Sequence, residues 1–170
     1  GGDILSMDLS EAIAAAMEPP GGIATLIVPS DLLREPSAPA SSLRPIAQAS
    51  RPDPGRIEAA ASCLRIERAA LLLGGAGLQE AGLRAAARIS RATGCRLLCE
   101  TFPARLECGH GLPPLERVPY MPGPALAMLS QFDRVVIAGA SRPVAFFAEP
   151  GYPGCLLGAQ TSVEPLALPG

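Results

Sequence analysis

The sequence lacks several residue types that would point to particular functions. It has no lysine, so all 14 basic residues are arginine, it has no tryptophan, and only 4% of its residues are aromatic. The net charge is -2 and no basic cluster occurs, which argues against a nucleic-acid partner. No apolar run approaches the roughly 20 residues of a membrane-spanning helix, and the N-terminus lacks the pattern of a signal peptide. We therefore expect a cytoplasmic protein with neither nucleic acid nor membrane as partner.

Catalytic and metal-binding motifs are also missing. The sequence contains no Walker loop, no HExxH, no GxSxG and no paired-carboxylate signature. The five cysteines form no CxxC pair, and the single histidine, His110, has no nucleophile or acid at motif spacing. We therefore expect reduced structural thiols, no metal site and no complete set of catalytic residues in this chain.

What is present is a regular alternation of helices and strands. The 48% hydrophobic and 18% charged fractions are typical of a globular protein. The stretch from Ala69 to Cys99 reads as an apolar strand (Ala69–Leu73), a glycine turn, an alanine-rich helix (Leu78–Ala92) that Gly94 stops, and a second strand (Arg96–Cys99). Strands that are apolar throughout are typical of parallel sheets covered by helices. The pattern predicts an α/β fold, a Rossmann-like parallel sheet with helices on both faces.

Composition and periodicity predict the remaining elements. We expect further helices at Leu9–Met17, Ile57–Arg68 and Pro124–Phe132, and further strands at Ile23–Val28, Arg134–Ala138, Val144–Phe147 and Cys155–Leu157. The segment from Phe102 to Pro122 is rich in proline and glycine and is expected to be irregular. The aromatic residues are expected to fill the core or a domain interface: Phe102, Phe146, Phe147 and Tyr152.

The composition divides the chain into three parts. Residues 35–55 are dense in proline, serine and alanine, as in an exposed linker. One helix and one strand precede it, which is too little for a domain, so residues 1–34 are expected to be the remnant of one. Residues 56–170 are expected to form the main domain, truncated at its C-terminus because no closing helix follows.

The first candidate binding site is the glycine turn of Gly74, Gly75 and Gly77. A Gly-x-Gly pattern between a strand and a helix invites a dinucleotide, whose diphosphate would lie on the helix N-terminus. Glu100 follows the second strand, where an acidic residue would meet a ribose. The third glycine position holds Glu80, however. Its negative side chain interacts favourably with the helix dipole but would repel a phosphate. A tight structural turn and a nucleotide site therefore both remain open.

The second candidate is the loop after the strand Arg134–Ala138. Gly139, Ala140, Ser141 and Arg142 offer free amides, a hydroxyl and a guanidinium at the carboxyl end of a strand. Such a group could bind a phosphate or an adenylate. A ligand loop and a structural loop fit this pattern equally well.

The order of segments resembles the middle part of thiamine-diphosphate-dependent enzymes of the acetolactate synthase and benzoylformate decarboxylase type. GGIATLIVPSDLL resembles the last strand of that family's N-terminal pyrimidine-binding domain, and the linker follows in the same place. PDPGRIEAAASCLRIERAALLLGGAG, RLLCETFPARLECGHG and RVVIAGASRPVAFF resemble the central domain, above all that of acetolactate synthase large subunits. The resemblance implies that residues 1–34 end a pyrimidine-binding domain and that residues 56–170 are a central domain with a six-stranded parallel sheet.

The resemblance also implies a function for the intact protein, which would use thiamine diphosphate and magnesium to decarboxylate a 2-oxo acid and to carry out carboligation. The family's activating glutamate belongs to the upstream pyrimidine domain and its GDG motif to the downstream diphosphate domain. Neither occurs in this sequence, so the chain alone is expected to be inactive. The expected partners are those flanking domains of the same chain and, in a homo-oligomer (a dimer or a tetramer), further copies of it.

FAD is a further cofactor of some relatives. The positions that match their site are the glycine turn from Gly74 to Gly77 and the loop from Gly139 to Arg142. Two stretches depart from the FAD-binding members, the loop ETFPARLECGHG and the run GASRP where those members have Gly-x-Arg-Phe-Asp, which argues against FAD. Two alternatives stay open, a stand-alone nucleotide-binding protein such as an NAD-dependent oxidoreductase and a non-catalytic interaction domain.

Overall fold

The computed structural model describes residues 2–18, 21–34, 36, 42–46 and 51–167. The chain divides into two compact units, the second of which begins at Arg51. Ten residues of the expected linker (35, 37–41 and 47–50) lie outside the described residues. No helix among the described residues is long and apolar enough to cross a lipid bilayer.

The N-terminal unit is built around helix α1, Gly2–Met17, which begins well before the predicted Leu9. The buried hydroxyl of Ser10 accepts a hydrogen bond from the Arg44 amide at 3.0 Å and donates to the Ser42 carbonyl at 3.3 Å. The predicted strand Ile23–Val28 is wrong, because the structure forms no strand there and Ile23 is 99% exposed. A β-branched run without a neighbouring strand has no partner for its backbone hydrogen bonds.

The second unit contains a parallel sheet of five strands within its described residues. They are β1 (Ala69–Leu73), β2 (Arg96–Cys99), β3 (Glu116–Arg117), β4 (Arg134–Ala138) and β5 (Ser162–Ala167). The spatial order is β3-β2-β1-β4-β5, and every neighbouring pair is parallel. From β1 the chain adds strands first on one side (β2, β3) and then on the other (β4, β5). The place between β1 and β4 is therefore the topological switch point, where open α/β sheets bind ligands.

Three helices cover the sheet: α2 (Pro54–Leu64), α3 (Glu80–Thr93) and α4 (Pro122–Leu129). Leu71 and Leu73 of β1 pack in the hydrophobic cluster that includes residues of α2 and α3, and Leu72 packs in the cluster that includes α4. Because side chains alternate along a strand, these two clusters lie on opposite faces of the sheet. The predicted α/β fold with helices on both faces is confirmed.

The helix ends follow from local chemistry. Asp53 caps α2 by accepting a hydrogen bond from the Arg56 amide at 3.0 Å, with Pro54 at the first helical position. Pro54 and Gly55, which the sequence analysis placed in the linker, lie in the first turn of this helix. Gly94 ends α3 in the left-handed conformation at φ 77°, which glycine adopts without steric cost.

The predictions for the last third of the chain need correction. The segment expected to be irregular contains the short strand β3, and α4 covers Pro122–Leu129 instead of Pro124–Phe132. The predicted strands Val144–Phe147 and Cys155–Leu157 are wrong, because only one antiparallel bridge joins Val144 and Cys155. The place beside β4 is taken by β5, which the sequence analysis did not anticipate.

Candidate functional site

The glycine turn after β1 lies against the loop after β4. The Gly74 amide donates to the Ala138 carbonyl at 3.0 Å. A Cβ on Gly74 would overlap the Gly139 carbonyl and lie 2.7 Å from the Ala140 Cα, and a Cβ on Gly139 would lie 2.6 Å from the Gly74 carbonyl. Both glycines are therefore required because two backbone segments touch at the switch point.

A further glycine, at a position the sequence analysis did not single out, brings α3 close to this turn. A Cβ on Gly82, in the first turn of α3, would lie 2.6 Å from the Gly77 carbonyl. The dinucleotide fingerprint would place its third glycine at the position of Glu80. The close approach of helix and turn is thus made possible by Gly82, two residues after that position. In the sequence, the presence of glycine at both positions 77 and 82 was the sign of this contact.

Two amides at this turn donate hydrogen bonds to carboxylates of the chain itself. Glu107 accepts a hydrogen bond from the Glu80 amide at 2.5 Å, at the start of α3. Glu100 accepts one from the Gly75 amide, and burial raises the pKa of its carboxyl group from its ordinary value. The side chain of Glu80 forms an ion pair with Arg84. Negative groups of the protein itself therefore lie beside the electropositive N-terminus of α3.

The loop after β4 borders a cavity of about 200 Å³ at the carboxyl ends of β1, β2 and β4. Ser141 and Arg142 line it from one side, and Glu100 and Phe102, which follow β2, line it from the other. Buried Leu72 forms part of its apolar wall. The structure therefore brings three of the expected ligand residues to one cavity, Ser141, Arg142 and Glu100. The other candidates do not line it: Gly74, Gly75, Gly77, Gly139 and Ala140.

Thr101 was not anticipated as a site residue. It lines the same cavity and is only 8% exposed, yet its hydroxyl forms no hydrogen bond within the described part of the chain. Because no fully buried side-chain oxygen of the described residues lacks a partner, this hydroxyl keeps some accessible surface. The only sequence signal for it was its position two residues after the end of β2, at the edge of the sheet where ligands bind.

Four aromatic rings form a cluster beside the cavity. Phe102 contacts Phe146 with ring centroids 5.2 Å apart, and Tyr120 contacts Phe147 at 5.4 Å. These rings are half-exposed, from 38% for Tyr120 to 63% for Phe102, and nearby Tyr152 is 42% exposed. The prediction that the aromatic residues fill the core is therefore wrong, and the alternative, a domain interface, stays a prediction.

Other regions of the described structure are weaker candidates for a binding site. A wider, open groove of about 700 Å³ borders Arg96, the first residue of β2, and so lies at the amino end of that strand. We favour the smaller cavity because parallel sheets bind ligands at their carboxyl ends. His110 is exposed, all five cysteines are free thiols, and no group of three or more metal-ligating side chains is formed among the described residues.

Comparison with known proteins gives the following relatives. No protein-family model matches the chain. Over 163 residues, 95% of its length, the chain is 45% identical to a protein of Mycobacterium tuberculosis (strain ATCC 25618 / H37Rv) named "Putative acetolactate synthase large subunit IlvX". A solved structure from Mycobacterium smegmatis, titled as that of "a putative thiamin diphosphate-dependent enzyme", shares the fold with a TM-score of 0.63, at 23% identity over 92% of this chain.

The resemblance to the central domain of thiamine-diphosphate-dependent enzymes is confirmed. The chain spans 31% of the length of the Mycobacterium tuberculosis relative and 30% of the Mycobacterium smegmatis structure. The similarity thus covers nearly all of this chain and about a third of each of these proteins.

The glycine turn can be tested for its fit to a dinucleotide such as FAD or NAD. A diphosphate on a helix N-terminus needs unpaired amides and no opposing charge. Here Glu107 and Glu100 accept from the amides of Glu80 and Gly75, and the side chain of Glu80 adds a third negative charge nearby. These residues do not fit a diphosphate, which favours the structural interpretation of the turn.

Proposed function

We propose that this chain acts as the central, structural domain of an acetolactate-synthase-like enzyme that depends on thiamine diphosphate. In the intact enzyme the cofactor, held with magnesium by the flanking domains, would support decarboxylation of a 2-oxo acid and carboligation. The part of this chain would be to separate and orient those two domains, and to contribute to a homo-oligomer. The chain alone would be inactive.

The observation that carries the proposal is the combination of a 45% identical stretch along 95% of the chain with the absence of catalytic motifs from its sequence. A chain that carried chemistry of its own would be expected to show a set of perturbed acids and bases in a cleft. Glu100 is the one carboxyl group of the cavity described here, and it has neither histidine nor lysine beside it in that lining. A supporting role for the domain fits these features.

The buried sheet suits such a supporting role. Leu72, Leu98 and Val135 are fully buried and lie in adjacent strands, so the three central strands form a close-packed core. Rigid elements hold a site in place more accurately than loops do. We infer that flanking domains would be held at a fixed separation by this sheet.

The test is to read the coding sequence on both sides of the segment and to assay its full product. We expect a pyrimidine-binding domain with its activating glutamate before residue 1 and a GDG motif after residue 170. The full product should bind thiamine diphosphate only with Mg²⁺ and release CO₂ from a 2-oxo acid, whereas the 170-residue chain should do neither. A reading frame with neither domain, or tight binding of NAD by this chain, would contradict the proposal.

A non-catalytic interaction domain is the second candidate, and the cluster of Phe102, Tyr120, Phe146 and Phe147 favours it. Exposed contiguous aromatic side chains are typical of surfaces that another protein covers. If the surface joins two copies, the double variant F146S/F147S should lower self-association of the 170-residue chain in analytical ultracentrifugation. The matched variant I4S/M7S, which changes two exposed apolar residues on α1, should leave self-association unchanged.

A further inference from the structure

The cavity after β4 combines an apolar wall with polar groups, of which Thr101 and Arg142 form no side-chain hydrogen bond among the described residues. Its wall includes Leu72 and Val118, which are at most 1% exposed. Phe102 and Phe146, in edge-to-face contact, border it on the solvent side. Apolar walls with a few converging polar groups are the general pattern of small-molecule sites.

The first unpaired group is the hydroxyl of Thr101. This residue is 92% buried, since only 8% of its surface is exposed, and its side chain has no hydrogen-bond partner within the described residues. No fully buried side-chain oxygen or nitrogen of the described residues lacks a partner, so the Thr101 hydroxyl must retain some accessible surface. The cavity is the open space that Thr101 borders, and a ligand there could satisfy the hydroxyl.

The second and third groups carry opposite charges. Arg142 lines the cavity and forms no ion pair or side-chain hydrogen bond in the described part of the chain. Glu100 lines it too and accepts a single hydrogen bond, from Gly75. No ion pair joins Glu100 to Arg142 among the described residues. Both charges therefore remain available to a third molecule.

Charge and size together define the chemical class of that molecule. A simple anion would be attracted by Arg142 and repelled by Glu100, and the reverse holds for a simple cation. A molecule with one charge of each sign satisfies both residues. The volume of about 200 Å³ lies below the 300–1,000 Å³ of sites that hold drug-sized molecules, so a whole dinucleotide does not fit.

We propose that this cavity binds a free α-amino acid with an apolar side chain, its carboxylate on Arg142, its ammonium group on Glu100 and its side chain against Phe102 and Phe146. The Thr101 hydroxyl donates to the ligand carboxylate. Arginine and carboxylate groups form strong charge-assisted hydrogen bonds, and aromatic rings supply apolar contact area. This inference does not rest on the proposed function, since it uses only the residues around the cavity.

The environment of Glu100 should make the affinity for the amino acid depend on pH. Burial raises the pKa of its carboxyl group in the free protein, whereas a bound ammonium group favours the ionised form. Binding therefore releases a proton near that raised pKa, and affinity falls as the pH is lowered through it. Arg142 is the other charged group of the cavity lining.

The test is isothermal titration calorimetry of the 170-residue chain with L-phenylalanine and L-leucine. Two analogues serve as probes of the charges, 3-phenylpropanoate, which lacks the ammonium group, and 2-phenylethylamine, which lacks the carboxylate. We expect both amino acids to bind and each analogue to bind at least about tenfold more weakly, as expected for the loss of a charged hydrogen bond. Equal binding of L-phenylalanine and an analogue, or no binding up to about 10 mM amino acid, would overturn the proposal.

Variants locate the site. E100Q and R142Q should each weaken L-phenylalanine binding about tenfold or more, and T101V about threefold or more. The matched variants E58Q on α2 and R88Q on α3, both at exposed positions in helices that pack on the opposite face of the sheet, should leave it unchanged. Amide NMR shifts at Thr101 and Arg142 should follow the titration. Loss of binding in E58Q and R88Q as well, or ADP that binds tightly and displaces the amino acid, would refute the assignment.

Discussion

The loop after β1 and the loop after β4 lie side by side at the carboxyl ends of adjacent strands, yet they differ in where their polar groups find partners. In the first, the amides of Gly75 and Glu80 donate to Glu100 and Glu107. In the second, Arg142 is unpaired within the described residues. A glycine-rich turn at a switch point is thus not by itself a binding site, since the protein can fill it with its own carboxylates.

The two loops also differ in how tightly they are packed. The backbone of Gly74 touches that of Gly139, whereas Ser141 and Arg142, further along the second loop, are exposed. The backbones of the two loops are therefore closely packed at their point of contact, and the cavity lies beside the later residues of the second loop. Substitutions in the two loops should therefore differ in effect: those at the contact should lower stability, and those beside the cavity should not.

The largest effect is expected at the point of contact. G74A should lower the free energy of unfolding by about 3 kcal/mol, because the added methyl group would overlap the backbone of Gly139 and Ala140. Urea denaturation followed by circular dichroism measures this. The control G154A places a methyl group in open space and should change stability by less than about 0.5 kcal/mol. A G74A variant as stable as G154A would mean that the two loops are not in contact.

A smaller effect is expected from the carboxylate that caps α3. E107A should cost about 1 kcal/mol of stability, because the amide of Glu80 loses its acceptor at a helix N-terminus. The same urea experiment at low and high salt measures it, and the loss should shrink at high salt as the charge on the helix end is screened. E58A, which removes an exposed glutamate of α2, should cost less than about 0.5 kcal/mol. Equal losses in both variants would argue against the cap.

Much of the sheet could be predicted from the sequence, because its central strands are apolar runs with clear ends. The bounds of β1, β2 and β4 were predicted to the residue. The edge strands carry no such signal, since β3 is two charged residues and β5 contains Pro165, a residue that is confined in sheets to edge strands, strand starts and bulges.

The candidate site could be predicted only in part. Ser141 and Arg142 were identified because residues after a parallel strand collect at one edge of the sheet. The contacts of Glu107 with Glu80 and of Glu100 with Gly75 join residues about 25 positions apart, so neither periodicity nor motif spacing encodes them. The run Val144–Phe147 was assigned to a strand on composition alone, but the place beside β4 belongs to β5. Tertiary competition of this kind overrides local β propensity.

The pH dependence of stability distinguishes the two kinds of glutamate. Because burial raises the pKa of Glu100, the native state binds its proton more tightly than the unfolded state does. The contribution of Glu100 to stability is therefore present at low pH and is lost as the pH rises through the raised pKa. E100Q should be more stable relative to the parent at about pH 8 than at about pH 4.

Glu116 should give the opposite slope, which makes it the control for Glu100. Its ion pair with Arg96 lowers the pKa of its carboxyl group. The contribution is present above the ordinary glutamate pKa and is lost as the pH falls through the lowered value. E116Q should therefore lose more stability relative to the parent at neutral pH than at acid pH. Parallel curves for E100Q and E116Q would mean that the two carboxyl groups share one environment.

The smallest effect is expected at the open loop. R142Q should change the free energy of unfolding by less than about 0.5 kcal/mol, because the side chain is exposed and forms no hydrogen bond or ion pair among the described residues. Thermal unfolding of R142Q beside E107A measures the contrast directly. Charged groups that are kept for a ligand need not stabilise the fold, and their removal lowers affinity without lowering stability. If R142Q lost as much stability as E107A, Arg142 would be a structural residue, and the two loops would serve the sheet in the same way.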